Sequence, residues 1–105
     1  MNLLFVCSRN KWRSPTAEKI FNGQKHFAKS AGTEKSARIK VNSKHIIWAD
    51  IIFVMEKRYK QRLIEQFDKF LLEKPLIVLE ISDNYQYMDE ELVSSLKISG
   101  EPYLD

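Results

Sequence analysis

Three short, continuous apolar runs constrain the fold more than any other feature of the sequence. They cover residues 3–6, 51–54 and 76–79, and each is long enough for one strand. Strands that are apolar throughout are typical of parallel sheets, in which helices cover both faces. Helical patterns occupy the intervals between the runs. The sequence therefore predicts an α/β fold, a three-layer sandwich with right-handed crossovers.

The predicted helices are delimited by residues that favour helix ends. We expect a first helix that opens at Pro15 after an N-cap at Ser14 and reaches about His26, because serine caps well and proline is tolerated in the first turn. A short strand through Phe27 and Ala28 should follow. The same reasoning predicts three later helices, over residues 43–48, 57–67 and 89–98.

Length and composition exclude several classes of protein. A chain of 105 residues has room for one core, so we expect a single domain over residues 1–105. No apolar run approaches the ~18 residues that span a bilayer, and no basic stretch precedes the first run as in a secretory signal. We therefore expect a cytoplasmic protein without a membrane partner. The single cysteine, Cys7, cannot form an internal disulfide and has no zinc-ligand spacing, so no metal is predicted.

Charge is distributed unevenly along the chain. Residues 1–62 contain fourteen Lys and Arg against four Asp and Glu, a net charge of +10, whereas residues 63–105 have a net charge of −7. The basic half carries Cys7 and could attract a phosphorylated or nucleic-acid ligand. Ordinary solvation of helix faces is equally compatible with this pattern.

The segment between the first strand and the first helix is the strongest candidate for a functional site. Cys7 is followed by five residues and then by Arg13 and Ser14. Five residues can curl into a loop whose backbone N–H groups point inward, and the following helix adds the positive end of its dipole. Such a loop can hold a phosphate, and the planar guanidinium of Arg13 can bind two phosphate oxygens.

This setting indicates a role for each residue of the segment. A thiolate at Cys7 would be stabilised and could act as a nucleophile, with Ser14 donating a hydrogen bond to the sulfur. The alternative for Cys7 is a small buried apolar residue, as for most lone cysteines. Asn10 suits the left-handed backbone of a tight loop. The residues expected to bind the phosphate group are Ser8, Arg9, Asn10, Lys11 and Trp12.

The segment resembles the phosphate loop of the low-molecular-weight protein-tyrosine phosphatases. That family has the pattern Cys-x-Gly-Asn-x-Cys-Arg-Ser-Pro, which the chain matches at Cys7, Asn10, Arg13, Ser14 and Pro15. Residues 30–33 and 49–55 are also similar to segments of the family. The resemblance implies a four-stranded parallel sheet in the order 2-1-3-4. The chain departs from the pattern at Arg9, which replaces glycine, and at Trp12, which replaces the second cysteine.

The resemblance also implies a general acid, since an alkoxide or phenolate leaves poorly without a proton. The family supplies it as Asp-Pro-aromatic after the last strand, and the matching residues are Asp83, Asn84 and Tyr85. We therefore expect Asp83 to be the acid and Tyr85 to contact the substrate. Asp89 is the rival, but the acidic residues after it favour a helix N-cap.

The function implied is hydrolysis of phosphomonoesters through a phosphocysteine, without a cofactor. The expected partner is a phosphorylated protein, with phosphotyrosine the default substrate, or a small phosphomonoester. Three alternatives remain. The first is arsenate reduction with an external thiol. The second is a phosphocysteine carrier like the B subunits of sugar phosphotransferase systems, which do not need Arg13. The third is a non-catalytic module that binds phosphate or a nucleic-acid end.

Overall fold

A parallel sheet of four strands lies at the centre of the structure, a computed structural model that describes residues 1–104. Its order is β2-β1-β3-β4, which confirms the expected order 2-1-3-4. All three strand pairs are parallel. The strands are β1 (Asn2–Cys7), β2 (Phe27–Gly32), β3 (Ile51–Val54) and β4 (Leu76–Val78).

Helices connect the strands and cover both faces of the sheet, so the predicted α/β class is confirmed. They are α1 (Arg13–Phe21), α2 (Ser43–Trp48), α3 (Lys57–Phe67) and α4 (Glu90–Gly100), with short 3₁₀ turns at Asp68–Phe70 and Glu101–Tyr103. Within residues 1–104, none of these helices has both the length and the apolar character needed to cross a bilayer.

The two central strands explain the continuous apolar runs. Residues 3–6 of β1 are fully buried, and so are residues 52–54 of β3, because each strand has a neighbour on both sides and helices above and below. The ring of Phe5 stacks between Phe21 of α1 and Phe53 of β3, at centroid distances of 5.3 and 5.1 Å. This stack joins the first helix to the sheet and holds the chain on either side of the candidate site.

Helix α1 differs from the prediction at both ends. It begins at Arg13 rather than Pro15, and Ser14 is not its N-cap, because the cap position is Trp12 and the hydroxyl of Ser14 is directed at Cys7. The helix ends at Phe21 instead of reaching His26. The cause is Asn22, whose side-chain oxygen accepts the N–H of Ala28 at 2.9 Å and turns the chain into β2.

Gly32 at the end of β2 brings that strand into direct contact with the candidate phosphate loop. A Cβ atom at this position would lie 2.5 Å from the carbonyl oxygen of Ser8 and 2.9 Å from the backbone nitrogen of Asn10. Neither backbone atom can move away without distorting the loop. Glycine is therefore required here for close approach rather than for an unusual backbone angle.

We expect Gly32→Ala to destabilise the protein by about 1 to 3 kcal/mol, because the added methyl group overpacks a backbone contact. The matched control is Gly23→Ala, where an added Cβ meets nothing within 4 Å, so its effect should stay within about 1 kcal/mol. Urea unfolding midpoints of the two variants measure the difference. Equal midpoints would contradict the close approach of β2 to the loop.

Candidate active site

The loop of residues 8–12 is held by its carbonyl groups. The segment after β2 donates to them in succession: Thr33 N to Cys7 O, Glu34 N to Ser8 O and Arg38 N to Arg9 O, each at 3.0 Å. The Nε of Arg38 adds a bond to the carbonyl of Asn10 at 3.1 Å. Four consecutive carbonyls thus point toward residues 33–38, away from the space that the loop encloses.

The amide groups of the loop are left free. Within residues 1–104, none of the backbone N–H groups of residues 8–12 donates a hydrogen bond to another residue. The left-handed backbone of Asn10, with φ 56°, curls the loop as its sequence position predicted. Arg9 has no such left-handed φ and its side chain is exposed, which explains how an arginine replaces the family's glycine. Free amides around a concave loop form an anion-binding nest.

Cys7 lies at the carboxyl end of β1, beneath this loop. Its side chain is buried, and Sγ lies 2.9 Å from the Oγ of Ser14. The Nδ2 of Asn10 donates to that same oxygen at 2.9 Å. Asn10 occupies one acceptor position of the Ser14 oxygen, and the hydroxyl hydrogen can go to the sulfur or to the carbonyl oxygen of Ala31, 3.5 Å from Oγ. The three side chains therefore form a relay that can stabilise a negative sulfur.

One edge of the buried guanidinium of Arg13 is committed to protein partners. Nη1 donates to the carboxylate of Glu56 at 2.5 Å and to the carbonyl of Ile81 at 2.8 Å, while Nη2 donates to the hydroxyl of Tyr59 at 2.8 Å. The hydroxyl of Tyr59 donates in turn to Glu56 at 3.0 Å. A guanidinium has five N–H donors in a fixed plane, so the pair on its other edge, Nε–H and the outer Nη2–H, remains for a bidentate ligand.

Glu56 and Arg13 hold each other in the charged state. Burial alone would raise the pKa of Glu56, but hydrogen bonds from Arg13 and Tyr59 outweigh burial and hold that pKa below its ordinary value. Burial alone would likewise lower the pKa of Arg13, and its bonds to Glu56 and Tyr59 raise it instead. Arg13 thus stays a cation at the cleft, and the carboxylate of Glu56 balances part of its charge.

The two candidate acids lie in different places. Asp83 lines the same cleft as Cys7, and its Oδ1 lies 3.5 Å from Nη2 of Arg13, with the side chain 64% exposed. Asp89 instead caps α4, where its Oδ1 accepts the N–H of Glu91 at 2.8 Å. The interpretation of Asp89 as an N-cap is confirmed. Of the two carboxylates, Asp83 is the one placed beside the sulfur and the guanidinium.

The cleft has a volume of about 330 Å³. The predicted residues that line it, besides Cys7, Arg13 and Asp83, are Ser8, Arg9, Lys11 and Trp12. Asn10 is fully buried behind the loop and acts on its shape. Tyr85, expected to contact the substrate, lies outside the cleft because its ring packs against the core beside α4. Trp12 is therefore the aromatic side chain at the mouth.

Four residues around the site were not predicted from the sequence. Glu34 and Arg58 line the cleft, and Glu56 and Tyr59 hold Arg13. A usable signal exists for Glu56, since it closely follows β3. Ligands bind beyond the carboxyl ends of parallel strands, and β3 is the neighbour of β1 in the sheet. A charged residue at that end is a candidate for the site.

Comparison with solved structures identifies the fold. A low-molecular-weight protein tyrosine phosphatase from Streptococcus pyogenes matches with a TM-score of 0.76 at 16% identity, covering 98% of this chain and 90% of that chain. The chain has the low-molecular-weight phosphatase fold. The tyrosine phosphatase Wzb from Escherichia coli K30, in complex with phosphate, matches with a TM-score of 0.74 at 20% identity over 97% and 94% of the two chains.

Phosphatases named for different substrates share the fold. The YwlE arginine phosphatase from Geobacillus stearothermophilus matches with a TM-score of 0.67 at 20% identity, covering 97% of this chain and 92% of that chain. No protein-family model matches the chain, and no curated protein matches it in sequence. The likeness thus lies in the three-dimensional structure across the whole chain.

Replacing Glu56 tests the ion pair. Glu56→Gln leaves the buried charge of Arg13 without a counter-charge, and we expect a loss of about 1 to 3 kcal/mol in the free energy of unfolding. Because the folded-state pKa of Glu56 is depressed, its contribution is present above the ordinary glutamate pKa of 4.5 and is lost as the pH falls further. The variant should therefore lose less stability than the wild type below that pH.

The control for Glu56→Gln is Glu65→Gln, an exposed carboxylate on α3. It removes the same charge without touching Arg13, so its stability should follow the wild type at every pH. Urea titrations from pH 3 to 7 provide the comparison. If both variants had the same pH profile, Glu56 would not be the partner that holds Arg13 charged.

Proposed function

We propose that the protein hydrolyses phosphomonoesters through a phosphocysteine formed on Cys7. The observation that carries the proposal is the convergence of four chemical groups on one cleft: the sulfur of Cys7, the free amides of residues 8–12, the open edge of Arg13 and the carboxyl group of Asp83. Nucleophile, anion-binding donors and acid are the parts that phosphoryl transfer from an ester requires.

The first half-reaction transfers the phosphoryl group to sulfur. The substrate phosphate would sit in the loop, bound by the amides and by the two free N–H groups of Arg13. The thiolate attacks phosphorus, so an S–P bond forms while the P–O bond to the leaving group breaks. The leaving oxygen keeps the electron pair and takes a proton from Asp83. The donors on the loop stabilise the charge that develops on the phosphoryl oxygens.

The second half-reaction returns the enzyme to its starting state. Asp83, now a carboxylate, removes a proton from a water molecule, whose oxygen attacks phosphorus and forms a new P–O bond. The S–P bond breaks and its electron pair remains on sulfur. The hydroxyl of Ser14, 2.9 Å from Sγ, stabilises the departing thiolate by donating to it. Inorganic phosphate and the thiolate of Cys7 are the products.

Named relatives of the fold support this chemistry. The Wzb tyrosine phosphatase is solved in complex with phosphate, and a YwlE mutant in which serine replaces a cysteine is solved with its active-site serine phosphorylated. Tyrosine and arginine phosphatases both occur among the relatives. We favour phosphotyrosine for this chain, because Trp12 places an aromatic ring at the mouth, with Nζ of Lys11 over one of its faces at 4.8 Å. Lys11 and Arg58 at the mouth would repel a guanidinium leaving group.

Cys7→Ser should abolish turnover of p-nitrophenyl phosphate while inorganic phosphate or vanadate still binds, because a hydroxyl keeps the shape of the loop but is a far weaker nucleophile. Steady-state kinetics and a vanadate titration give the two readouts. More than a few per cent of residual activity would exclude a phosphocysteine. A wild-type protein that binds phosphate but turns over no ester would instead be a non-catalytic phosphate-binding module.

Asp83→Asn should slow phenyl phosphate far more than p-nitrophenyl phosphate, since a basic leaving oxygen depends most on the acid. The matched control is Asp89→Asn, which weakens a cap and should cost about 0.5 to 1 kcal/mol of stability with little change in rate. Rates for substituted phenyl phosphates of graded leaving-group pKa make the comparison. If the rate depended more steeply on leaving-group pKa in Asp89→Asn than in Asp83→Asn, the acid would be Asp89 and not Asp83. If the dependence changed in neither variant, the protein would have no dedicated general acid.

A further inference from the structure

Basic side chains extend from the cleft across the neighbouring surface. We define the basic rim as six of them on three segments: Lys11 on the loop, Arg58 and Arg62 on α3, and Lys35, Arg38 and Lys40 after β2. Lys11 and Arg58 line the cleft itself. The other four lie beyond its lining, so the rim is larger than the site of one phosphate.

Hydrogen bonds and helix geometry place the two arms of the rim. Arg38 donates to the carbonyl of Asn10, and Nζ of Lys40 donates to the carbonyl of Thr33 at 2.7 Å, so both follow the outer edge of the loop. Arg58 and Arg62 are four residues apart on α3 and therefore share a face. The two arms meet at the cleft, which Glu34 of the segment after β2 lines together with Lys11 and Arg58.

The rim has few counter-charges. In the part of the chain that the structure describes, Arg58 is its one member in an ion pair, with Glu56 at 3.1 Å. The other five have no carboxylate of residues 1–104 within 4.0 Å. Like charges gathered without partners repel one another and oppose folding. A polyanion bound across them would remove that repulsion and gain favourable interactions.

The carboxylates at the cleft mouth indicate which polyanion fits. The side chains of Glu34 and Asp83 lie among the cations and are 42% and 64% exposed. An evenly charged nucleic-acid backbone entering the cleft would meet both of them. A peptide can place its carboxylates individually against the rim, and its phosphorylated aromatic ring can lie against Trp12 at the mouth.

We propose that the basic rim binds acidic residues beside the phosphorylated residue, so that the preferred substrates are phosphotyrosyl segments rich in Asp and Glu. This inference rests on the proposed function, because it assumes that the phosphate itself enters the loop above Cys7. It adds a binding surface outside the cleft and a substrate class defined by flanking charge.

The direct test compares two phosphotyrosyl peptides that differ only in flanking residues, one with glutamates and one with glutamines at the same positions. We expect kcat/KM to be about five- to thirtyfold higher for the glutamate peptide, since several exposed ion pairs each contribute modestly. The difference should reside in KM and shrink as salt rises. Turnover of p-nitrophenyl phosphate, which has no flanking charge, gives the reference for the cleft alone.

The double variant Lys35→Gln/Arg62→Gln removes two rim charges without touching a group in the cleft. It should lower the ratio of kcat/KM between the glutamate and glutamine peptides by about two- to fivefold, because four of the six rim charges remain, and leave p-nitrophenyl phosphate unchanged. Its stability should not fall, because both side chains are exposed and neither forms an ion pair within residues 1–104. The matched control, Lys44→Gln/Lys97→Gln, loses the same net charge on α2 and α4 and should keep the wild-type ratio.

The outcomes separate the rim from the chemistry. Equal kcat/KM for both peptides in the wild type would overturn the proposal that the rim binds acidic residues. So would a loss of preference in the control variant as large as that in Lys35→Gln/Arg62→Gln. Tighter binding of a 5′-phosphorylated oligonucleotide than of the glutamate peptide would mean that the ligand of the rim is a nucleic acid and not an acidic peptide. Failure to hydrolyse p-nitrophenyl phosphate would overturn the proposed function. In that case the affinities of the two peptides for the wild-type protein, measured by fluorescence anisotropy, would still show whether the rim binds acidic residues.

Discussion

The buried charge of Arg13 is the constraint on which the rest of the site depends. A guanidinium taken out of water must be paired, since an unpaired buried charge costs several kcal/mol. Glu56, Tyr59 and the carbonyl of Ile81 satisfy one edge of it. These partners belong to the ends of β3 and β4 and to α3, so one side chain on α1 ties together the carboxyl edge of the sheet. That tie also presents the other edge of the guanidinium to the cleft.

The phosphate loop is shaped by a different set of contacts, and the two sets meet at Cys7. Residues 33–38 bind the carbonyl groups of the loop and thereby turn its amides inward. Gly32 lets β2 approach closely enough for this to happen. Arg13 and the loop both line the cleft that contains the sulfur and supply positive potential there. Both sets consist of hydrogen bonds within the protein, so the fold itself holds these groups in place.

Structural features that depend on residues close together in the sequence could be predicted from it. The apolar runs give the buried strands, because a strand covered on both faces has no polar position. The spacing from Cys7 to Arg13 gives the loop, because both ends of a five-residue loop are close in sequence. The strand order required the family resemblance. Asn10 was assigned its left-handed backbone from residue type alone, and the structure confirms it.

The features that sequence reasoning missed depend on distant contacts or on competition between local signals. Glu56 and Tyr59 meet Arg13 across 43 and 46 residues, and no local pattern encodes such a pairing. Ser14 before Pro15 favours an N-cap locally, but its hydroxyl is used by Cys7 and Asn10 instead. Tyr85 matches the family pattern in sequence, yet packing against the core takes its ring away from the cleft.

The most direct test of the account is to trap the covalent intermediate. The wild-type protein is mixed with excess p-nitrophenyl phosphate, quenched in acid during turnover and analysed by mass spectrometry of its peptides. A phosphocysteine mechanism predicts one phosphoryl group on the peptide that contains Cys7, located on that residue, and a burst of p-nitrophenol that matches the enzyme concentration. Turnover at an undiminished rate with no phosphate on Cys7 at any quench time would contradict it.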